Sequence, residues 1–190
     1  MAEFKIHDAD SAPEGAKPLL ESSKQDLGMI PNLHGVMAQS PQVLEGYQRL
    51  HGLFADTSFT ATERNVVWLT INVRHRCHYC VPAHTAIAKG DGVDDEIIQA
   101  LRDGRSLDDP KLEALRVFTL QVVDARGEVS GGEVQTFLDA GFTQRQVLEV
   151  VLGVAQKVMS NYINHIADTP VDEAFQTFDW TPKAGAAAAE

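Results

Sequence analysis

Cysteine is nearly missing from this chain. There are two in 190 residues, so a disulfide framework of the kind that staples small secreted domains is excluded. Positive charge is scarce too: 16 Lys and Arg against 27 Asp and Glu give a formal net charge of -11 and a pI near 5.0. Polyanions are bound through clustered Lys and Arg, so nucleic acid is not an expected partner. No apolar run approaches the roughly 20 residues that cross a bilayer, and the opening MAEFKIHDAD lacks the basic and then apolar order of a secretion signal. The expectation is a cytoplasmic protein with no membrane partner, in a compartment where thiols stay reduced. Sustained alternation of apolar and polar residues is also lacking, which excludes half-buried strands. No repeat of fixed period is visible.

What the chain has instead is helix starts. Thr60 stands three before Glu63, Ser130 three before Glu133 and Thr143 three before Gln146, each a capping box in which both side chains satisfy orphan backbone N–H groups. Ser40-Pro41, Asp109-Pro110 and Thr169-Pro170 add three starts of the cap-then-proline kind. Helical apolar spacing follows, as in Leu112, Leu115, Phe118 and Val122, or Val147, Val150, Val151, Val154, Val158 and Ile163. These signals predict an all-α fold with helices near 41–56, 60–75, 80–90, 94–103, 110–126, 130–140, 143–167 and 170–177. Turns are expected at 90–92 and at Asp103-Gly104. Length and a 44% hydrophobic content fit a single domain over residues 1–178. Its first 30 or so residues, with Pro13, Pro18, Gly28 and Pro31, read as an arm lying over the domain with short helical pieces. Residues 179–190 read as a flexible tail.

Both cysteines fall in CHYCVPAH, residues 77–84. Pro82 belongs in the first turn of a helix, where its missing N–H has no partner to lose, so a helix begins between Tyr79 and Val81. Cys80 is then at the positive end of that helix, which lowers a thiol pKa below the free value of about 8.5. Cys77 sits in the preceding turn, within reach of a disulfide, and His84 is one turn beyond Cys80 on the same side. A thiolate, a second thiol and a proton carrier are what reversible thiol chemistry needs. Spacing alone leaves two other readings open. The pair is either unreactive core cysteine, or part of a zinc site with His84 and one of His75, His78 or His165 as fourth ligand; the lack of a second cysteine pair weighs against zinc.

The run ERNVVWLTINVRHRCHYCVPAH resembles the core of the carboxymuconolactone decarboxylase superfamily, in its alkylhydroperoxidase D-like (AhpD-like) branch, whose signature is Cys-x-x-Cys-x-x-x-His on helices. IPNLHGVMAQSPQVLEGY is similar to the N-terminal part of the peroxidase-related members, and MSNYINHIADTPVDEAF to the C-terminal helix of one subgroup, so the likeness runs from about 27 to 178. The resemblance implies a bundle of about seven to eight helices, a homo-oligomer, and a peroxidase or disulfide oxidoreductase with no cofactor of its own. Its partners would be a hydroperoxide or disulfide substrate and an external thiol or dithiol reductant. It also implies roles: Cys80 attacks, Cys77 resolves, His84 relays protons. Oligomerisation is expected from composition as well, because helices 60–75 and 143–163 are apolar around much of their circumference.

One position departs from the family pattern. The relay glutamate, twelve residues before the first cysteine, is Asn65 here, which cannot carry a proton and so predicts weakened peroxidase turnover. Glu63 is about 200° around the helix from it, and is claimed by the capping box. Asn65 is left to orient His84 or a water, with His165 as a replacement proton carrier if its helix crosses the site. Members of the superfamily that are lactone decarboxylases generally lack the paired cysteines, which makes that lyase chemistry the alternative, with a metal-binding non-enzymatic module as the other.

Overall fold

In the computed structural model all three capping boxes form. Thr60 Oγ1 accepts from Glu63 N at 3.2 Å while Glu63 accepts from Thr60 N at 2.9 Å, and the Ser130/Glu133 and Thr143/Gln146 pairs repeat the pattern. The structure describes residues 3–182, and among these it has helices and no strand. They are α1 (Lys17–Leu27), α2 (Asn32–Met37), α3 (Pro41–Ala55), α4 (Ala61–Arg74), α5 (Cys80–Gly90), α6 (Asp95–Arg102), α7 (Pro110–Asp124), α8 (Gly131–Asp139), α9 (Gln144–Ala167) and a C-terminal 3-10 helix (Glu173–Phe178). Asp109 caps α7 through Lys111 N and Leu112 N. Ser40 only precedes its proline: its hydroxyl turns to Gln42 Oε1 instead of capping α3.

The expected helix start at Thr169-Pro170 is corrected. α9 ends at Ala167 on a left-handed Asp168, residues 169–172 are irregular, and the six-residue 3-10 helix begins only at Glu173. Thr169 follows the end of α9, and its backbone N–H closes back on Asn164 O, so it terminates one helix rather than starting another.

α4 runs through the middle of the bundle and packs against α5, α6, α7 and α9. Asn65 to Asn72 are consecutively buried. The chain alone therefore covers the apolar circumference of 60–75, whereas α9 keeps Leu148, Val151, Tyr162 and Ile166 exposed. One apolar cluster fills the space between α4, α6, α7, α8 and α9. It includes a stack in which the Phe118 and Phe137 rings lie 4.3 Å apart and Phe137 and Phe142 4.4 Å apart. Each such ring contributes about 1.5–3 kcal/mol by leaving water. A second cluster gathers Ala12, Ala16 and Leu20 of the N-terminal segment with Leu33, Leu44, Tyr47, Tyr79 and both cysteines. Residues 3–30 thus form one wall around the cysteines.

α9 crosses α4 closely at Gly153, where an added Cβ would meet Phe54 Cε2 at 2.7 Å and Val67 Cγ1 at 3.0 Å. Gly153→Val is expected to lower stability by about 2–3 kcal/mol through overpacking, well above the few tenths gained in helix propensity. A fall in the urea midpoint at unchanged m-value is the measurement. At the other end, Arg102 donates to Thr85 Oγ1, Phe178 O and Asp179 O, while Trp180 Nε1 donates to Arg102 O. The start of the expected tail, at 179 and 180, is therefore anchored to α5 and α6; residues 183–190 lie outside the described residues. Among the described residues no helix is long and apolar enough to cross a membrane.

Candidate active site

α4 closes with Arg76 in the left-handed conformation (φ 55), so that Arg76 N bonds Val73 O and Cys77 N bonds Asn72 O. The chain reverses there and re-enters a helix at once, with Val81 N on Cys77 O. The expected helix start is confirmed at Cys80, with Pro82 in the first turn. The amide at that start, however, serves the other sulfur: Cys80 N donates to Cys77 Sγ at 3.2 Å. What holds Cys80 Sγ comes from the far side of the site.

That far side is α9. Lys157, Asn161 and Asn164 recur at helical spacing, and all three are buried. Asn164 Nδ2 donates to Cys80 Sγ at 3.2 Å and reaches Cys77 Sγ at 4.0 Å, so one amide spans both sulfurs. Asn161 Nδ2 donates to Asn72 Oδ1 at 2.9 Å, Asn72 donates in turn to Cys80 O, and His75 steadies Asn161 Oδ1 at 2.8 Å. Lys157 Nζ donates to His84 Nε2 at 2.8 Å.

Burial pushes the Cys80 thiol up. The hydrogen bond from Cys77, the Lys157 cation and the amides of Asn164 and Asn161 outweigh it and bring Cys80 down to about 6. Cys77 moves the opposite way, raised by burial and by donating to its ionised neighbour. The surroundings therefore shift the two thiols in opposite directions, Cys80 towards ionisation and Cys77 away from it. Burial lowers Lys157, while the adjacent sulfurs raise it again. His84 is held well below its ordinary value by burial and by Lys157. As a neutral imidazole it accepts a hydrogen bond from Lys157 at Nε2 and carries its own proton on Nδ1, which is buried without a partner among the described residues.

Cys80 lines a cavity of about 680 Å³ with His34, Tyr47, His51, Tyr79, His84, Lys157 and Phe175 among its walls. Cys77 is not part of that wall and lies behind Cys80. Both cysteines are free thiols and buried, so the cavity is the way to Cys80 for any reagent.

The structure thus brings together Cys77, Cys80 and His84, but with His84 on Lys157 and not on either sulfur. Two expected contributors are elsewhere. Asn65 does not reach His84: its Nδ2 donates to Ala61 O and to Asp91 Oδ2 at 2.7 Å, tying α4 to the end of α5. His165 is exposed and faces Arg76 and His78, away from the thiols. The zinc set does not converge either, since His75 is committed to Asn161 and His78 to Thr169 O. Among the described residues no three His, Cys, Asp or Glu gather as a metal site. Sequence reasoning missed Lys157, Asn161, Asn164, His34 and His51. The signal available for the first three was a polar row at helical spacing within α9, which reads as a solvated face.

Fold and motif define a class: an all-helical protein with a Cys-x-x-Cys-x-x-x-His motif at a helix start. Residues 41–119, which contain the cysteine motif, match the profile of the carboxymuconolactone decarboxylase family. The likeness to the AhpD-like branch read from the sequence is supported by this match and by the fold. The chain superposes on a peroxidase-related protein from Ralstonia eutropha JMP134, described as an alkylhydroperoxidase AhpD core, with TM-score 0.82 and 20% identity over 91% of this chain and 93% of that one. A peroxidase-related protein from Silicibacter sp. TM1040 gives TM-score 0.76 and 18% identity over 92% and 95%. The debrominase Bmp8, solved in complex with 2,3,4-tribromopyrrole, gives 0.75 and 14% over 93% and 95%. At these identities the likeness is one of fold. No curated protein matches the chain.

Proposed function

We propose that the protein is a thiol-dependent peroxidase or disulfide oxidoreductase in which Cys80 attacks and Cys77 resolves; family match and fold support the broader class of a peroxidase-related or lyase-like enzyme. The observation that carries this is geometric: Cys80 lies on the cavity wall with its sulfur held by Asn164 Nδ2, and Cys77 Sγ sits behind it on the Cys80 amide, in surroundings that lower the Cys80 pKa and raise that of Cys77.

With a hydroperoxide, Cys80 thiolate attacks one peroxide oxygen and the O–O bond breaks, leaving a sulfenic acid and an alkoxide. The alkoxide takes a proton from the Lys157 ammonium. Neutral Lys157 then removes the Cys77 proton, Cys77 attacks the Cys80 sulfur, and hydroxide leaves, taking that proton to become water. One hydroperoxide and two thiols become an alcohol, water and a disulfide. An external dithiol in a reducing cytoplasm reopens the disulfide by exchange. In this scheme Lys157 does the work that Asn65 cannot, and His84 shares its proton.

Substoichiometric hydroperoxide is expected to take two free thiols to none with a mass loss of two hydrogens. Cys77→Ser stops at a Cys80 sulfenic acid, one oxygen heavier, and Cys80→Ser does not react. Two thiols still free after peroxide defeat the reading. Consumption of a carboxymuconolactone by the doubly serine-substituted protein would establish the lyase alternative instead. The proposed enzyme is a homo-oligomer in which the outward apolar row of α9, Leu148, Val151, Tyr162 and Ile166, is covered by another copy.

A further inference from the structure

Two histidines of the cavity wall, His34 and His51, which no sequence signal marked, have fixed and opposite hydrogen-bonding states. Gln156 Oε1 accepts from Trp68 Nε1 at 2.7 Å, which fixes its amide so that Nε2 donates to His51 Nδ1 at 3.0 Å. His51 therefore carries its proton on Nε2. It is held flat against Trp68, with ring planes 4° apart.

His34 is fixed the other way. Ser23 Oγ spends its only proton on Leu19 O and accepts from Gln48 Nε2, so the 2.8 Å contact with His34 Nδ1 requires His34 to donate. Its Nε2 is then a bare acceptor with no partner among the described residues. Both rings line the cavity over Cys80 and lie near Tyr47, at centroid distances of 5.6 Å and 6.3 Å from it. Burial keeps both imidazoles neutral, with values near 4. Lys157 faces the Cys80 thiolate, and Arg49 at the rim is paired with Glu45 at 2.7 Å, so no unpaired charge awaits an anionic ligand.

We propose that this cavity binds a neutral aromatic molecule bearing a hydroxyl, whose O–H donates to His34 Nε2 and whose oxygen accepts from His51 Nε2–H while the ring packs among Tyr47, Tyr79 and Phe175. A hydroxyl is the small neutral group that gives and takes a hydrogen bond at one atom. Aromatic walls around a few oriented polar groups suit a flat ligand. The assignment rests on the reading above in taking the cavity as the approach to Cys80.

The test compares p-cresol with p-xylene, which differ in a hydroxyl for a methyl, and with p-toluate, by calorimetry on the reduced, unsubstituted protein. p-Cresol is expected to bind about tenfold more tightly than p-xylene, to exceed p-toluate, and to slow alkylation of Cys80 by iodoacetamide. His34→Phe and His51→Phe should each bring the cresol-to-xylene ratio towards one, with unchanged circular dichroism. Equal affinity for cresol and xylene, no binding of either, or tightest binding of toluate overturns the proposal. These results need no redox step. Cresol binding in a protein whose thiols ignore peroxide leaves this assignment standing and removes the enzymatic one; disulfide formation without cresol selectivity does the reverse.

Discussion

Lys157→Met is expected to raise the Cys80 pKa from about 6 towards the ordinary thiol range, because it deletes the buried cation and leaves the desolvation that opposes ionisation in place, with the hydrogen bonds from Cys77 and Asn164 still acting. Alkylation follows the deprotonated form, so its rate climbs as pH rises through the pKa. At pH 7 a thiol of pKa 6 is about nine-tenths ionised and one of pKa about 8 about one-tenth, so iodoacetamide should react roughly tenfold more slowly with the variant. Oxidation by hydroperoxide should slow in proportion. Stability should change little, because the uncompensated thiolate simply takes up a proton and methionine fills the space of the lysine chain. A pH–alkylation profile for each protein reads the shift directly. A midpoint that stays near 6 in Lys157→Met would leave Cys77 and Asn164 as sufficient and remove Lys157 from the mechanism.

Asp172→Ala is expected to have the largest effect on stability. This carboxylate, 6% exposed, accepts from the Tyr79 hydroxyl at 2.5 Å and from Asn32 N at 3.0 Å, while Tyr79 Oη accepts from Leu33 N and Asn32 Nδ2 donates to Pro170 O. The network joins the segment after α9 to the starts of α2 and α5, beside the cavity. Hydrogen bonds to a charged group contribute about 1.5–3 kcal/mol each, and removal strands two buried donors, so a loss of about 3 kcal/mol is expected. In a domain of this size that lowers the Tm by about 9 °C. Tyr79→Phe alone should lose about 2 kcal/mol, and the double variant clearly less than the sum, since the shared bond is lost only once. Additive losses would show that the two groups are not coupled. Loosening this wall should also admit bulkier alkylating reagents to Cys80, measurable as a rise in their rate relative to iodoacetamide.

Much of the bundle was written locally. Thr60, Ser130, Thr143 and Asp109 mark their helices because a cap and its partner lie three residues apart or less, and that chemistry needs no other part of the chain. Pro82 fixed the start of α5, and with it the placing of Cys77 just before that helix, Cys80 at its start and His84 one turn on. Two short N-terminal elements, α1 and α2, were legible only as pieces of an arm. α1 lacks a side-chain cap and α2 is six residues long, so both depend on what they pack against.

The C-terminal half of α9 shows where local reading fails. Lys157, Ser160, Asn161 and Asn164 form a polar row that solvation would place outside, and Tyr162 and Ile166 look like core; in the fold the polar row is buried and those two are exposed. A lysine or amide is stable inside only if charges and hydrogen-bond partners wait for it. Here the partners are two sulfurs, His84 and Asn72, residues 73 to 89 positions away in sequence. Asn65 and His165 were misplaced for the same reason: which partner a polar side chain finds depends on a crossing helix, not on its own turn.

The sequence by itself determined the helices, their starts and the close approach of two thiols, because capping, proline geometry and short-range spacing act within a single turn. Only the tertiary structure decided what surrounds each sulfur and what the cavity presents. Those depend on charges and dipoles carried in by α3 and α9, and electrostatics in a buried site is set by distance through space.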